Sequence, residues 1–193
     1  DPELLPGARN AVEVCLRFKP EERITIITDT ATRQIAAALQ KEVERVGSEY
    51  SLFVLEHHAP RPLKYMPEII LDDLALSQVS IFAAQTQPRE LGSRTEMTSV
   101  VNHHHIRHAH MVNINRQIML EGMRADFCAV DELSQRLVEH ARQVDRITCK
   151  TPHGTEFVAE LSPKLKWLKT SGIIARDKWG NLPGGEIFTT PMN

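Results

Sequence analysis

An α/β fold is predicted, with an open, mainly parallel sheet flanked by helices and followed by a small β-rich lobe. Three observations carry this expectation. Short β-branched or apolar runs such as Arg23–Thr28 and Val79–Ala84 have the composition of strands buried on both faces. Segments with helical periodicity separate those runs, which gives the strand–helix–strand order of a parallel sheet with right-handed crossovers. Past Asp145 two alternating runs follow each other with only a turn between them, so the pattern changes there.

The elements follow in order. After Pro6-Gly7, the stretch Ala8–Phe18 has a helical apolar face in Ala11, Val12, Cys15, Leu16 and Phe18. Arg23–Thr28 is the first strand. Asp29 or Thr30 caps the next helix, Ala31–Val46, whose stripe is Ile35, Leu39, Val43 and Val46. Gly47 ends it in the usual C-terminal position. Ser51–Glu56 is the second strand. His57–Pro67 holds three prolines in eleven residues and reads as loop. A short helix over Glu68–Leu76, a strand over Val79–Ala84, a helix over Arg89–His104 and a strand over His108–Asn113 come next. A helical turn at Ile118–Gly122 precedes a long helix, Asp126–Val144, with Val130, Leu133, Leu137, Ala141 and Val144 inward. Arg146–Thr151 and Thr155–Leu161 then form a hairpin through Pro152-His153-Gly154. This divides the chain into an α/β domain over 1–145 and a β-rich segment over 146–193.

Composition narrows the function classes. The hydrophobic content of 41% and charged content of 25% are those of a soluble globular protein. A net charge of −2, with both signs interspersed, gives no case for nucleic acid or an anionic membrane. No apolar run approaches the ~20 residues that span a bilayer. The start Asp1-Pro2-Glu3 is acidic, unlike a signal peptide. Cys15, Cys128 and Cys149 are too scattered for a disulfide framework or zinc pattern; they are expected to be buried free thiols in a cytoplasmic protein.

Several chemistries can be weighed on residue spacing. The run His103-His104-His105-Ile106-Arg107-His108-Ala109-His110 offers pairs at helical or strand spacing that could reach one zinc ion. It straddles a predicted helix end and strand start, so its side chains should scatter, and helix-end histidines serve the terminal carbonyls. The loop Thr28-Asp29-Thr30-Ala31-Thr32 has hydroxyls but no glycine, and neither a dinucleotide fingerprint nor a phosphate-loop lysine occurs. No nucleophile elbow is present, and no cysteine has a cationic setting. Ser93-Arg94-Thr95 reads as helix surface, and Trp167 and Trp179 as packing residues.

The last fifteen residues hold the remaining candidate. Asn181, Pro183, Gly184 and Gly185 form a bend that delivers one acid, Glu186, into an extended run, Ile187–Thr190, which on chemistry alone reads first as a surface hairpin with a solvated glutamate. The glycines permit close approach to the main chain, and a strand edge would hold the carboxylate rigidly.

The stretch Trp179-Gly-Asn-Leu-Pro-Gly-Gly-Glu-Ile-Phe-Thr-Thr-Pro191 resembles the signature of the aminopeptidase T / aminopeptidase S (PepS-type) metallopeptidases. Similarity extends to the Arg94-Thr95 to Arg107 region, to Met119–Asp126 and to the hairpin between Arg146 and Thr155. The resemblance implies an α/β domain followed by a metal-bearing domain, with Glu186 as one ligand of a two-metal centre. It implies two divalent ions, zinc, cobalt or similar, per full-length subunit. It also implies a homodimer that removes N-terminal residues from peptide substrates. The family's remaining ligands follow this motif, so the chain corresponds to the N-terminal half, its catalytic residues are not assigned, and the segment alone is expected to be inactive. Two rivals stand beside this reading. One is a related metalloenzyme such as a dihydroxypyridine ring-cleaving dioxygenase. The other is a non-catalytic α/β binding or assembly module.

Overall fold

The structure, a computed structural model, describes residues 1–176 and 179–192. Its centre is a five-stranded parallel sheet in the order β2-β1-β3-β4-β8. The first four strands are β1 (Ile24–Thr28), β2 (Tyr50–Val54), β3 (Val79–Ala83) and β4 (Arg107–His110). Every residue of β1 and β3 is buried, as their unalternating sequences require.

Alternate residues of the central strands feed two cores. On one face Ile24, Ile26, Val79, Ile81 and Ala109 pack against α1 (Leu5–Arg9) and α2 (Arg33–Val46). On the other face Ile27 and Phe82 pack against α3 (Glu68–Ala75) and α4 (Leu91–His103). The α/β reading with helices on both sides therefore holds.

Several boundaries move, each for a local reason. The first helix begins at Leu5, upstream of Ala8, with Pro6 in its first turn where the missing N–H costs nothing. It runs on as a wider π-helical turn over Asn10–Cys15. The helix after β1 starts at Arg33, and its N-cap is Thr32, not Asp29 or Thr30. Asp29 instead braces the turn, accepting hydrogen bonds from the Thr32 N–H (2.9 Å) and hydroxyl (2.7 Å). Strand β4 stops at His110, short of Asn113, whose left-handed backbone (φ 56°) cannot continue a strand.

Of the cysteines, only Cys15 is buried. Cys128 is exposed on α6 (Phe127–Ala141), and Cys149 is intermediate on β5 (Arg146–Lys150), a strand whose other residues are all exposed. Ser93 also departs from its surface reading: it is buried, with its hydroxyl donating to the Glu90 carbonyl.

The β-rich portion has three parts. β5 pairs antiparallel with β6 (Glu156–Glu160), as the hairpin pattern indicates. β7 (Leu168–Thr170) pairs antiparallel with β9 (Glu186–Phe188), a contact between segments that are remote in sequence. Between them β8 (Gly180–Asn181) returns to the main sheet beside β4. No helix among the described residues is long and apolar enough to cross a membrane.

At the carboxyl ends of β1 and β3 the proline-rich loop folds inward. Arg61 is 3% exposed and reaches Asp29 at 2.8 Å and Glu90, themselves 1% and 4% exposed. It also donates to the Gln85 carbonyl, and the Gln85 N–H donates to Asp29 at 2.7 Å. Hydrogen bonding overcomes burial and holds both carboxyls below their ordinary values, so the charged forms persist inside. Removing one partner of such a network strands buried charge. Arg61→Met is therefore expected to cost about 3–5 kcal/mol in urea unfolding; a loss under about 1 kcal/mol would show the network to be dispensable.

Candidate functional site

The bend that carries Glu186 is set into the core at its start. Leu182 is buried beside Ile174, and its N–H donates to the His110 carbonyl at 3.1 Å. Pro183 packs on Gly122: a methyl group at Gly122 would lie 3.1 Å from the proline ring. Gly184 lies against another glycine. A Cβ there would come within 2.6 Å of the Gly172 nitrogen, while a Cβ on Gly172 (φ +88°) would meet the Phe127 ring at 2.4 Å. The close approach permitted by these glycines is thus made by the chain itself, segment against segment.

Beyond the bend the chain emerges. Glu186 is exposed at the start of β9, opposite Thr170 of β7, whose hydroxyl donates to Glu186 Oε1 at 3.1 Å. The short β7–β9 ribbon rests on α6. The α6 residue Asp131 is bound by the Lys169 ammonium at 2.9 Å and accepts from the Ser171 hydroxyl, which ties β7 to that helix. The carboxylate sits on a braced edge, as the strand propensity of Ile187 and Thr189 indicates. Asn193, the last residue of the motif stretch, lies outside the described residues.

Among the described residues no group of three or more His, Cys, Asp or Glu side chains converges as a metal cage. Glu186 can give one donor, and a tight site needs several.

The histidine run divides as its helix-to-strand position predicts. His103, His104 and His105 crown the end of α4 and are exposed. His108 and His110 lie on β4 and are buried. They do not converge on a common point. Instead the Ser80 hydroxyl and His108 Nδ1 share a hydrogen bond of 2.8 Å, and His108 Nε2 shares one of 3.1 Å with His110 Nδ1. His110 stacks on Phe82 at 5.3 Å and meets the edge of Trp179 at 5.5 Å. Trp179 is 39% exposed, so it packs on one side only.

Burial, reinforced by His110, holds His108 well below its ordinary value; burial and the Arg94 charge bring His110 down to about 4. The line Ser80–His108–His110 is therefore neutral near pH 7. It can be read as donor to acceptor in either direction, which reverses the role of His110 Nε2.

Spacing did not reveal the Asp29–Arg61–Glu90 network. The one available hint was an arginine flanked by prolines, Pro60-Arg61-Pro62, in a loop otherwise hard to place. It occupies the crevice between β1 and β3 where sheets of this order receive ligands, so the chain's own arginine fills the place a nucleotide would take.

Two outcomes follow. Gly184→Ala forces two backbones apart and is expected to destabilise by about 2–3 kcal/mol. Gly154→Ala, where a Cβ meets nothing within 4 Å but φ is +91°, should cost roughly 1 kcal/mol in the same urea titration. Equal costs would remove the packing argument. For the histidines the folded pKa is depressed below the unfolded value of about 6.5. Their stabilisation is complete above that pH and is lost as pH falls toward the folded value. The His110 share of that loss should be about 2 kcal/mol between pH 7 and 4.5, and His110→Gln should remove that share from the slope. An identical slope in the variant would refute the assignment.

No family model matches the chain, and no curated protein is similar to it in sequence. Among solved structures it is similar to wild-type AmpT from Thermus thermophilus, with a TM-score of 0.65 at 15% identity. The match covers 98% of this chain and 62% of that one, so the chain spans less than two thirds of that protein's length. At this identity the likeness shows a shared fold.

Proposed function

We propose that this chain is the α/β portion of a metal-dependent aminopeptidase that hydrolyses N-terminal residues from peptides. Glu186 supplies one carboxylate to its two-metal centre. The observation that carries the reading is the placement of Glu186: an exposed acid, on a braced strand edge, directly after a bend anchored in the core. The signature-like stretch Trp179–Pro191 and the shared fold with AmpT support it.

The residues present suit one ligand position. The Thr170 hydroxyl donates to a single carboxylate oxygen, Oε1, and orients the group. When bound, a pair of divalent ions, zinc or cobalt, would lower the pKa of a shared water and polarise the scissile carbonyl. The chain's own part is to hold that carboxylate in register. Backbone pairing of Glu186 with Thr170 limits its movement. Such a centre would need further donors, since no group of three or more His, Cys, Asp or Glu side chains converges among the described residues. A homodimer and a cytoplasmic setting belong to the same proposal and rest on the family resemblance.

The test uses the natural protein and leucine p-nitroanilide. Hydrolysis should require zinc or cobalt, and Glu186→Gln should lower kcat/KM by at least about 100-fold with an unchanged urea midpoint. Full activity in that variant, or strict iron dependence with cleavage of a dihydroxypyridine ring, would end the aminopeptidase assignment.

A further inference from the structure

β2 is the outer strand of the main sheet on the side away from β8, and it pairs with β1 alone, in parallel. The Ile24 N–H donates to the Glu49 carbonyl at 3.2 Å, which fixes the alternation along the strand. Ser51 and Phe53 turn their backbone groups toward β1, while Tyr50 and Leu52 turn theirs outward. No strand among the described residues pairs with that outer edge. Natural edge strands are blunted by charge, proline or a bulge. Tyr50-Ser-Leu-Phe-Val54 carries no charge and no proline, and its register with β1 runs without a bulge.

The space beside this edge is both shaped and charged. A cleft of about 130 Å³ lies between β2 and α2, lined by Leu52 and Val54 of the strand and by Ala36 and Ala37 of the helix. Arg33, the first residue of α2, lines it at the carboxyl end of β2, and its guanidinium has no hydrogen-bond or ion-pair partner among the described residues. At the amino end, the Tyr50 hydroxyl donates to Glu44 Oε1 at 2.7 Å and accepts from the Gln40 amide at 2.8 Å. Glu44 is exposed there. The groove therefore has a cation at one end and an anion at the other. Along α2 the two lie about 16 Å apart at 1.5 Å per residue, the span of about five extended residues.

We propose that this groove binds a short extended peptide as a sixth strand, parallel to β2, with its C-terminal carboxylate at Arg33 and its N-terminal ammonium at Glu44. The outward backbone groups of Tyr50 and Leu52 pair with the peptide main chain, and the cleft takes one apolar side chain beside Leu52 and Val54. Charge sets the direction, because an antiparallel peptide would place its carboxylate against Glu44. The amino end of α2 adds its positive dipole on the Arg33 side. A second copy of the chain suits the groove less well: its β2 brings its own α2, to which its Tyr50 is already tied. The site lies at the opposite sheet edge from β8, about 19 Å away across four strand spacings. It uses neither Glu186 nor a metal, so it stands apart from the aminopeptidase reading.

The probe is the pentapeptide Thr-Val-Thr-Val-Val with both termini free, titrated without added metal into the 15N-labelled whole chain and followed by NMR. The amide signals of Tyr50 and Leu52 should move saturably with a Kd of about 0.1–1 mM, and those of Ser51 and Phe53, already bonded to β1, should move less. Amidating the peptide C-terminus should weaken binding at least about tenfold, and acetylating its N-terminus about threefold. Arg33→Gln should weaken binding of the free acid at least about tenfold and erase its advantage over the amide. Ala37→Leu, which fills the cleft from an exposed helix position, should abolish binding. The amidated peptide tests the carboxylate contact on the unaltered protein, whatever the variants do. The proposal is overturned by the lack of a saturable shift at about 10 mM peptide, by equal affinity for acid and amide, by unchanged affinity in a folded Arg33→Gln, or by binding that survives in a folded Ala37→Leu. Shifts of the Leu52 amide that follow protein concentration without peptide would assign the edge to a second copy and overturn it equally.

Discussion

The burial of β1 and β3 on both faces is the constraint from which the rest follows. A strand without a solvent face cannot carry polar alternation, so Ile24–Thr28 and Val79–Ala83 are almost wholly apolar or hydroxylic. Covering both faces takes two helix layers, and parallel pairing takes a crossover between strands. Polar groups are then forced to the strand ends. At one end Arg23 joins Asp73, and Asp73 accepts from Ser51 at 2.9 Å. At the other end Arg61 joins Asp29 and Glu90. Both networks close the sheet where its backbone would otherwise meet water.

The same constraint explains how the final motif is held. The open flank of β4 is covered by Gly180–Asn181, and the bend that follows cannot move independently of the core. Gly172 and Gly184 are fixed by each other and by Phe127, so their lack of side chains serves packing. The Glu186 carboxylate follows this anchor by two residues.

Local signals were legible in the sequence and long-range ones were not. Unbroken β-branched runs, the Gly47 helix stop and the Pro152-His153-Gly154 turn each express a preference within a few residues, and the elements appear where those preferences put them. The bend before Glu186 was legible for the same reason. The pairing of Thr170 with Glu186 joins residues sixteen apart, and the contact of Arg61 with Asp29 joins residues thirty-two apart. Neither has a spacing rule. Asp29 was misread as a helix cap because its short-range option, the Thr32 turn, is real but shared with a distant arginine. Cys128 and Cys149 were misread because cysteine's average burial says nothing about which face of α6 or β5 a given position occupies.

The polar line from Ser80 to His110 illustrates what a buried histidine can contribute without holding a metal. Chelation would need the two imidazoles to aim lone pairs at one point, and here they aim at each other. Mutual hydrogen bonding satisfies two buried groups at once, while burial keeps both rings neutral. It also leaves the line with an outer end. The His110 ring lies between Phe82 and Trp179, and the donor or acceptor role of its Nε2 is set by the orientation of a hydroxyl within the sheet.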